Sequence, residues 1–210
     1  LKNKKINLNI LENKKTIKKN IQSSARKIRY DLLTKFCLKK NIKTIITAHH
    51  LDDQVETFFI RLSRGSGLTG LSSMKFKSNL NKNIKLIRPL LDVPKKDLTK
   101  LTKKIYSRYF RDPSNKNKKY LRTRVRNLKK YLKNSGITYK QIVKSINNLA
   151  SSQVTLDSYY QKTFRDVVEK TKGGINLSFE EFKLLNNEIK IRLINDSIKY
   201  IKKSYYNPRS

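Results

Sequence analysis

The sequence predicts an α/β fold built on a parallel sheet and followed by a small helical domain. Two observations carry that expectation. Up to Asn134, compact apolar runs alternate with amphipathic segments, the order produced by strand-helix-strand units on a parallel sheet. After Asn134-Ser-Gly136 the strand signal nearly vanishes and helical periodicity takes over. We therefore expect one domain over residues 1–134 and a helical one over residues 137–210. Hydrophobic residues make up 37% of the 210, including 8 Phe and 11 Tyr. That is enough to build a core despite 31% charged residues.

Ile6 to Leu11 alternates apolar and polar residues, which predicts a short strand, and Lys14 to Asn20 reads as a polar connection. A helix is expected from Ile21 to Lys40. Ile28, Leu32 and Phe36 repeat at helical spacing, Leu33 and Cys37 widen the stripe, and Asn41 supplies the stop. Ile42-Lys-Thr-Ile-Ile-Thr-Ala48 is β-branched and compact, the pattern of a strand covered on both faces. The next helix, Asp52 to Arg64, buries Val55, Phe58, Phe59 and Leu62; Asp53 and Glu56 have capping-box spacing, and Gly65 terminates it.

Ile84 to Leu91 is a further strand, and Pro94 suits the first turn of a helix reaching Lys104. Asp112-Pro-Ser-Asn115 is a turn. Tyr120 to Asn134 forms a helix with an apolar stripe (Leu121, Val125, Leu128, Leu132) and a cationic one (Arg122, Arg126, Lys129, Lys133). Beyond Gly136, helices are expected at Tyr139–Leu149, Val154–Lys170 and Asn187–Lys202, with a short extended piece around Ile175–Leu177 after Gly173-Gly174. No internal repeat is visible.

Fifty Lys and Arg against 15 Asp and Glu give a formal net charge of +35, which points to a polyanionic partner. Part of this excess is a general Lys-Asn-Ile bias, so its distribution matters more than its total. No acidic residue lies between Asp112 and Asp157, while Lys116, Lys118, Lys119, Arg122, Arg124, Arg126, Lys129, Lys130, Lys133, Lys140 and Lys144 all do. Cys37 is the only cysteine, which excludes an intrachain disulfide and a cysteine zinc site, and its apolar neighbours predict a buried helical thiol. No apolar run approaches the ~20 residues that cross a bilayer, and a reducing cytoplasm fits best.

The densest chemistry is Thr47-Ala-His-His-Leu-Asp-Asp-Gln-Val-Glu-Thr57, at the carboxyl end of the clearest strand, where open α/β sheets bind ligands. Taken singly, Asp52 or Asp53 reads as a helix cap. Together, both histidines of the chain adjoin both aspartates, with Gln54 and Glu56 close behind. That points to Mg²⁺ or phosphate chemistry. Arg61-Leu-Ser-Arg64-Gly65-Ser66-Gly67 at the far end of the same helix reads either as a helix stop or as backbone and guanidinium groups able to approach a phosphate.

These residues, with Gly70-Leu71 and Met74 following, closely resemble the tRNA(Ile)-lysidine synthetase family. The resemblance continues in order through Ala25-Arg26-Lys-Ile-Arg29-Tyr30, Ile87-Arg88-Pro89-Leu90-Leu91, Asp112-Pro-Ser-Asn115 and Tyr120-Leu-Arg122-Thr-Arg124-Val-Arg126, covering Ile6 to Leu132. Thr123 stands where the family pattern usually has Asn. The Ser-Gly-Gly-x-Asp-Ser pyrophosphate loop and the first strands of the family's Rossmann-like, adenine nucleotide alpha hydrolase-like sheet do not occur in these residues. The expectation is therefore an N-terminally incomplete chain, inactive alone, with Asn207-Pro-Arg-Ser210 not its natural end.

The resemblance implies ATP and Mg²⁺ as cofactors and, as partners, L-lysine and a tRNA(Ile) with a CAU anticodon. ATP adenylates the C2 oxygen of the wobble cytidine, and lysine then displaces AMP to give lysidine. It implies Asp52 and Asp53 for the metal or the lysine amine, Asp53 being the Mg²⁺ ligand, and His50 for orientation. Arg26, Arg29, His49 and Glu56 fall to the nucleotide. Arg61, Arg64, Gly65, Gly67, Asn115, Arg122, Arg124, Arg126, Lys129, Lys130 and Lys133 fall to RNA. The oligomeric state stays open, a homodimer being one assembly that would fit.

Three other readings compete. A cytidine thiolase of the same superfamily needs paired cysteines, and Cys37 stands alone. A two-metal phosphohydrolase needs more ligands than His49, His50, Asp52 and Asp53. A non-catalytic RNA-binding module explains the basic block but leaves the His-Asp cluster idle.

Overall fold

The computed structural model describes residues 7–13, 21–107, 109, 117, 119–171 and 173–202. In chain order the elements are α1 (Ile21–Lys39), β1 (Thr44–Ile46), α2 (Leu51–Leu62), α3 (Leu68–Leu71), β2 (Lys77–Asn79), β3 (Lys85–Ile87), α4 (Lys95–Tyr106), α5 (Leu121–Asn134), α6 (Tyr139–Val167), β4 (Val168–Lys170), β5 (Ile175–Leu177), α7 (Phe179–Leu184) and α8 (Asn187–Ile201). No described helix is long and apolar enough to cross a membrane. The chain divides into two compact units. One holds the described residues up to Gly65 with Ser73–Val143, the other Ser66–Ser72 with the described residues from Lys144. The division thus falls inside α6, whereas the sequence suggests it at Asn134-Ser-Gly136, where Gly136, at φ +77°, ends α5.

In the first unit β1 and β3 pair in parallel, Ile45 opposite Leu86, and β2 adds an antiparallel strand on the far side of β3. The sequence reading missed β2 because Lys77-Ser-Asn79 has no apolar residue; the Asn81 side chain closes its turn by accepting from the Asn83 and Ile84 amides. Cys37, Ile45, Ile84 and Leu86 form the buried cluster between α1 and the sheet. Ile46, on the other face of β1, is 68% exposed, so among the described residues the strand is covered on one side, not two. Asn41, at φ +53°, ends α1 as expected, and the Ile42 amide donates to the Cys37 carbonyl. Residues 7–13 carry no strand, because no described strand offers them a ladder; Ile6 and residues 14–20 lie outside the described residues. Pro94 is the N-cap of α4, one position earlier than its sequence suggests.

In the second unit, the expected break between two helices does not occur, and α6 runs unbroken for 29 residues. Ser152 donates back to the Asn148 carbonyl, and the Gln153 side chain, 2% exposed, exchanges hydrogen bonds with Thr69 and Asp157. The Thr69 bond, 2.9 Å long, joins Ser66–Ser72 to α6 within this unit. The end assigned to helix at Val168–Lys170 is instead a strand paired antiparallel with β5. Tyr160, Val167, Val168, Ile189 and Leu193 form the core.

Candidate active site

The site is set by how the chain leaves β1. The Thr47 amide continues the ladder to the Ile87 carbonyl at 2.9 Å, His50 bridges Leu90, and the Leu51 amide donates to the Val93 carbonyl. The sheet therefore fixes the segment that carries both histidines. His50 is the N-cap of α2: its Nδ1 accepts from the Asp53 amide at 3.3 Å, and Asp53 Oδ2 accepts from the His50 amide at 3.1 Å. The capping box joins His50 to Asp53, not Asp53 to Glu56 as spacing suggests, because α2 starts at Leu51 and places Asp53 at its third position instead of at the cap.

Beside this box lies a cleft of about 300 Å³. Arg26, Arg29, Tyr30 and Leu33 of α1 face Thr47, Ala48, His49 and Asp53, with Arg122 of α5 closing it. The Arg26 guanidinium stacks 5.0 Å from the Tyr30 ring centre. Burial pulls the His49 pKa below its ordinary 6.5, and Arg88, Arg26 and Arg122 push the same way, while Asp53 opposes them. His49 is therefore neutral at pH 7.

Two carboxylates named by sequence lie outside this cleft. Asp52, 7% exposed, accepts from the Lys95 amide at 2.9 Å, capping α4 from another element, and from Lys129 Nζ at 2.5 Å. Glu56, 2% exposed, takes Arg126 through two nitrogens, at 2.6 and 3.2 Å. Arg122 Nε stands 2.9 Å from Glu56 Oε2 in an ion pair without hydrogen-bond alignment, and its NH2 reaches Thr57 Oγ1 at 3.4 Å. The cationic stripe of α5 is thus not a free face. Arg122, Arg126 and Lys129 turn toward α2, because carboxylates that deeply buried require cations. Arg124, Lys130 and Lys133 are exposed.

Arg61 donates to the Ser73 carbonyl at 3.1 Å and Arg64 is exposed. Gly65 adopts the left-handed φ of +67°, and Gly67 is the N-cap of α3. Asn115 and its turn lie outside the described residues. Sequence reasoning missed Thr47 and Tyr30 as cleft residues, and Arg88 as a charge beside His49. Arg88 is 7% exposed at the carboxyl end of β3; its NH1 donates to Lys75 O at 2.8 Å and Ser78 Oγ at 3.0 Å, and its Nε has no partner among the described residues. An arginine directly after an apolar strand run was the available signal.

Among the described residues Asp53 is the one carboxylate lining the cleft, and no described group of three or more His, Cys, Asp or Glu could hold a metal ion. Three arginines around one carboxylate fit the phosphates of a nucleotide. A Mg²⁺ would need those phosphates and water for its other ligands, as that ion ordinarily does.

Residues 2–132 match the PP-loop domain family. The chain is 40% identical over 197 residues to the tRNA(Ile)-lysidine synthase of Wolbachia sp. subsp. Brugia malayi (strain TRS), covering 93% of this chain and 46% of that protein. It is 51% identical over 117 residues to that of Orientia tsutsugamushi (strain Boryong), covering 55% of this chain and 26% of that one. The chain thus spans less than half the length of these curated relatives. In fold it is similar to the U34-tRNA thiolase NcsA from Methanococcus maripaludis, solved with its [4Fe-4S] cluster. There the TM-score is 0.51 at 20% identity, over 64% of this chain and 47% of that one. An α/β sheet whose strand ends carry the ordered motifs, and a family match spanning most of the first unit, lead to one conclusion: the chain belongs to the PP-loop domain family.

Proposed function

We propose that this chain is the part of a tRNA(Ile)-lysidine synthase that holds ATP against the wobble cytidine of a CAU-anticodon tRNA(Ile), in the cytoplasm. The observation that carries the reading is the cleft at the carboxyl end of β1, where Arg26, Arg29, His49, Asp53 and Arg122 converge. Arg26, Arg29 and Arg122 hold phosphate oxygens, and their fixed charge offsets the negative charge that gathers on the departing pyrophosphate as the cytidine C2 oxygen takes the adenylyl group. Mg²⁺, when bound, supplies further charge compensation on those phosphates. Asp53 is the carboxylate for the metal or for the incoming L-lysine amine, whose attack at C2 expels AMP. His50 acts through its capping box, orienting Asp53.

Asp52 and Glu56 support the site from beneath by anchoring α4 and α5. In the first unit the exposed Arg124, Lys130 and Lys133, with Arg64 and the Gly65 backbone, contact RNA; the Gly67 backbone and the helical unit are RNA contacts in their own right. Affinity for tRNA should fall steeply with salt.

The test exchanges the matched span of the Wolbachia enzyme for this chain and measures ATP-dependent transfer of labelled lysine to the tRNA. The expected result is retained transfer that Asp53→Ala lowers by about 100-fold or more. A folded chimera that binds ATP and tRNA but transfers no lysine overturns the reading. The non-catalytic RNA-binding module is the outcome that would then stand.

A further inference from the structure

His49 lines the cleft, yet nothing in its own backbone position decides which ring nitrogen faces the ligand. One contact does. Thr47 Oγ1 lies 2.8 Å from His49 Nδ1, and both residues line the same cleft. The Thr47 backbone is anchored, because its amide completes the ladder to Ile87. An imidazole nitrogen and a hydroxyl can share a proton in either direction, so the surroundings must choose. Among the described residues the Thr47 hydroxyl has no hydrogen-bond partner other than His49 Nδ1, and the contact itself leaves the direction to the tautomer. If Nδ1 donated instead, that hydroxyl proton would lack the partner this geometry offers it. Donation by Thr47 leaves the proton of the neutral ring on Nε2, the nitrogen not bonded to Thr47.

We propose that Thr47 is a positioning residue that holds His49 in the Nε2-protonated tautomer, so that the ring meets a phosphoryl oxygen in the cleft as a hydrogen-bond donor. The inference rests on the nucleotide reading above and goes beyond it. It makes His49 a fourth donor beside Arg26, Arg29 and Arg122, leaving Asp53 as the cleft's one acceptor carboxylate. The lowered His49 pKa agrees with a neutral ring. His50 stands apart, its Nδ1 engaged by the α2 cap.

The test is a long-range proton–nitrogen correlation spectrum of the ¹⁵N-labelled chain at pH 7. With two histidines in the sequence, His50→Asn, which keeps an N-capping side chain, assigns both signals. His49 should show a protonated Nε2 and a bare Nδ1. Thr47→Val, nearly isosteric and so expected to fold, should produce a mixture of tautomers, and Thr47→Ser should restore the single form. Titration with inorganic pyrophosphate should shift the His49 Nε2 signal, with affinity falling about fivefold in Thr47→Val and returning in Thr47→Ser. A protonated Nδ1, a tautomer unmoved by Thr47→Val, or a His49 ring indifferent to pyrophosphate overturns the proposal. Failure of the lysidine reading would look different: a normal His49 response to pyrophosphate with no lysine transfer in the chimera.

Discussion

Arg126 of α5 forks onto Glu56 of α2, its Nε 2.6 Å from Oε1 and its NH2 3.2 Å from Oε2, and the carboxylate it holds belongs to a residue 2% exposed. The family resemblance implies a nucleotide contact at Glu56 and an RNA contact at Arg126. Their pairing explains why α2 and α5 pack together: a carboxylate taken that far from water must meet a cation, and the fork also fixes the rotation of α5 about its axis.

Arg126→Ala should therefore destabilise the first unit by about 2–3 kcal/mol. That is less than the ~3–5 kcal/mol of an abandoned buried charge, because Arg122 still stands beside Glu56. Arg126→Lys should recover only part, since an ammonium cannot fork. Urea unfolding of the three proteins checks both statements, and equal midpoints would refute them.

Asp52 sets an acid-side dependence. Burial raises its pKa, but the Lys129 hydrogen bond, the Lys95 amide and the Lys129 charge outweigh that, leaving it below the ordinary 3.8. A folded-state pKa below the unfolded one gives stability that is present above the unfolded value and lost as pH falls through the folded one. Asp52→Asn should thus cost about 1–2 kcal/mol at pH 7, and the gap from the unsubstituted chain should close below pH 3.8. Thermal melts across pH 2.5 to 7 measure it; a gap that widens on acidification contradicts the assignment.

Gly70 is a packing residue. A Cβ built there would lie 2.6 Å from the Ser66 Cβ. Helix propensity alone would favour Gly70→Ala by about 1 kcal/mol, but the overlap should win and leave a net loss of about 1–2 kcal/mol. The double substitution Gly70→Ala with Ser66→Gly should relieve most of it. Calorimetry on the single and double variants decides between clash and propensity.

Cys37 is 5% exposed within the cluster between α1 and the sheet. A thiol reagent should react with the native chain only as fast as that cluster opens, and stoichiometrically in denaturant. Immediate labelling of the folded chain would show that this face of α1 does not pack against the sheet. Cys37→Ser, which buries a hydroxyl in an apolar cluster, should cost about 1–3 kcal/mol by urea melt.

The sequence by itself determined the strand-turn-helix unit between Ile42 and Arg64, because β-branched runs and 3.6-residue stripes are local patterns that need no partner to be read. It also determined the αL stop at Asn41, the buried Cys37 and the family, since the motifs keep their order along the chain. Tertiary structure alone decided which charges face which. Asp52, Asp53 and Glu56 look alike on one helix turn, yet Asp52 caps α4, Glu56 meets α5, and Asp53 alone lines the cleft. It also recruited Thr47, Tyr30 and Arg88, turned Val168–Lys170 into a strand through pairing with β5, and carried α6 through Ala150-Ser-Ser-Gln153 by bonds from Gln153 to Thr69 and Asp157. The physical reason is common to all of these. A charge, a lone strand or a mid-helix polar residue takes its role from the group that satisfies it, and no local pattern names that group.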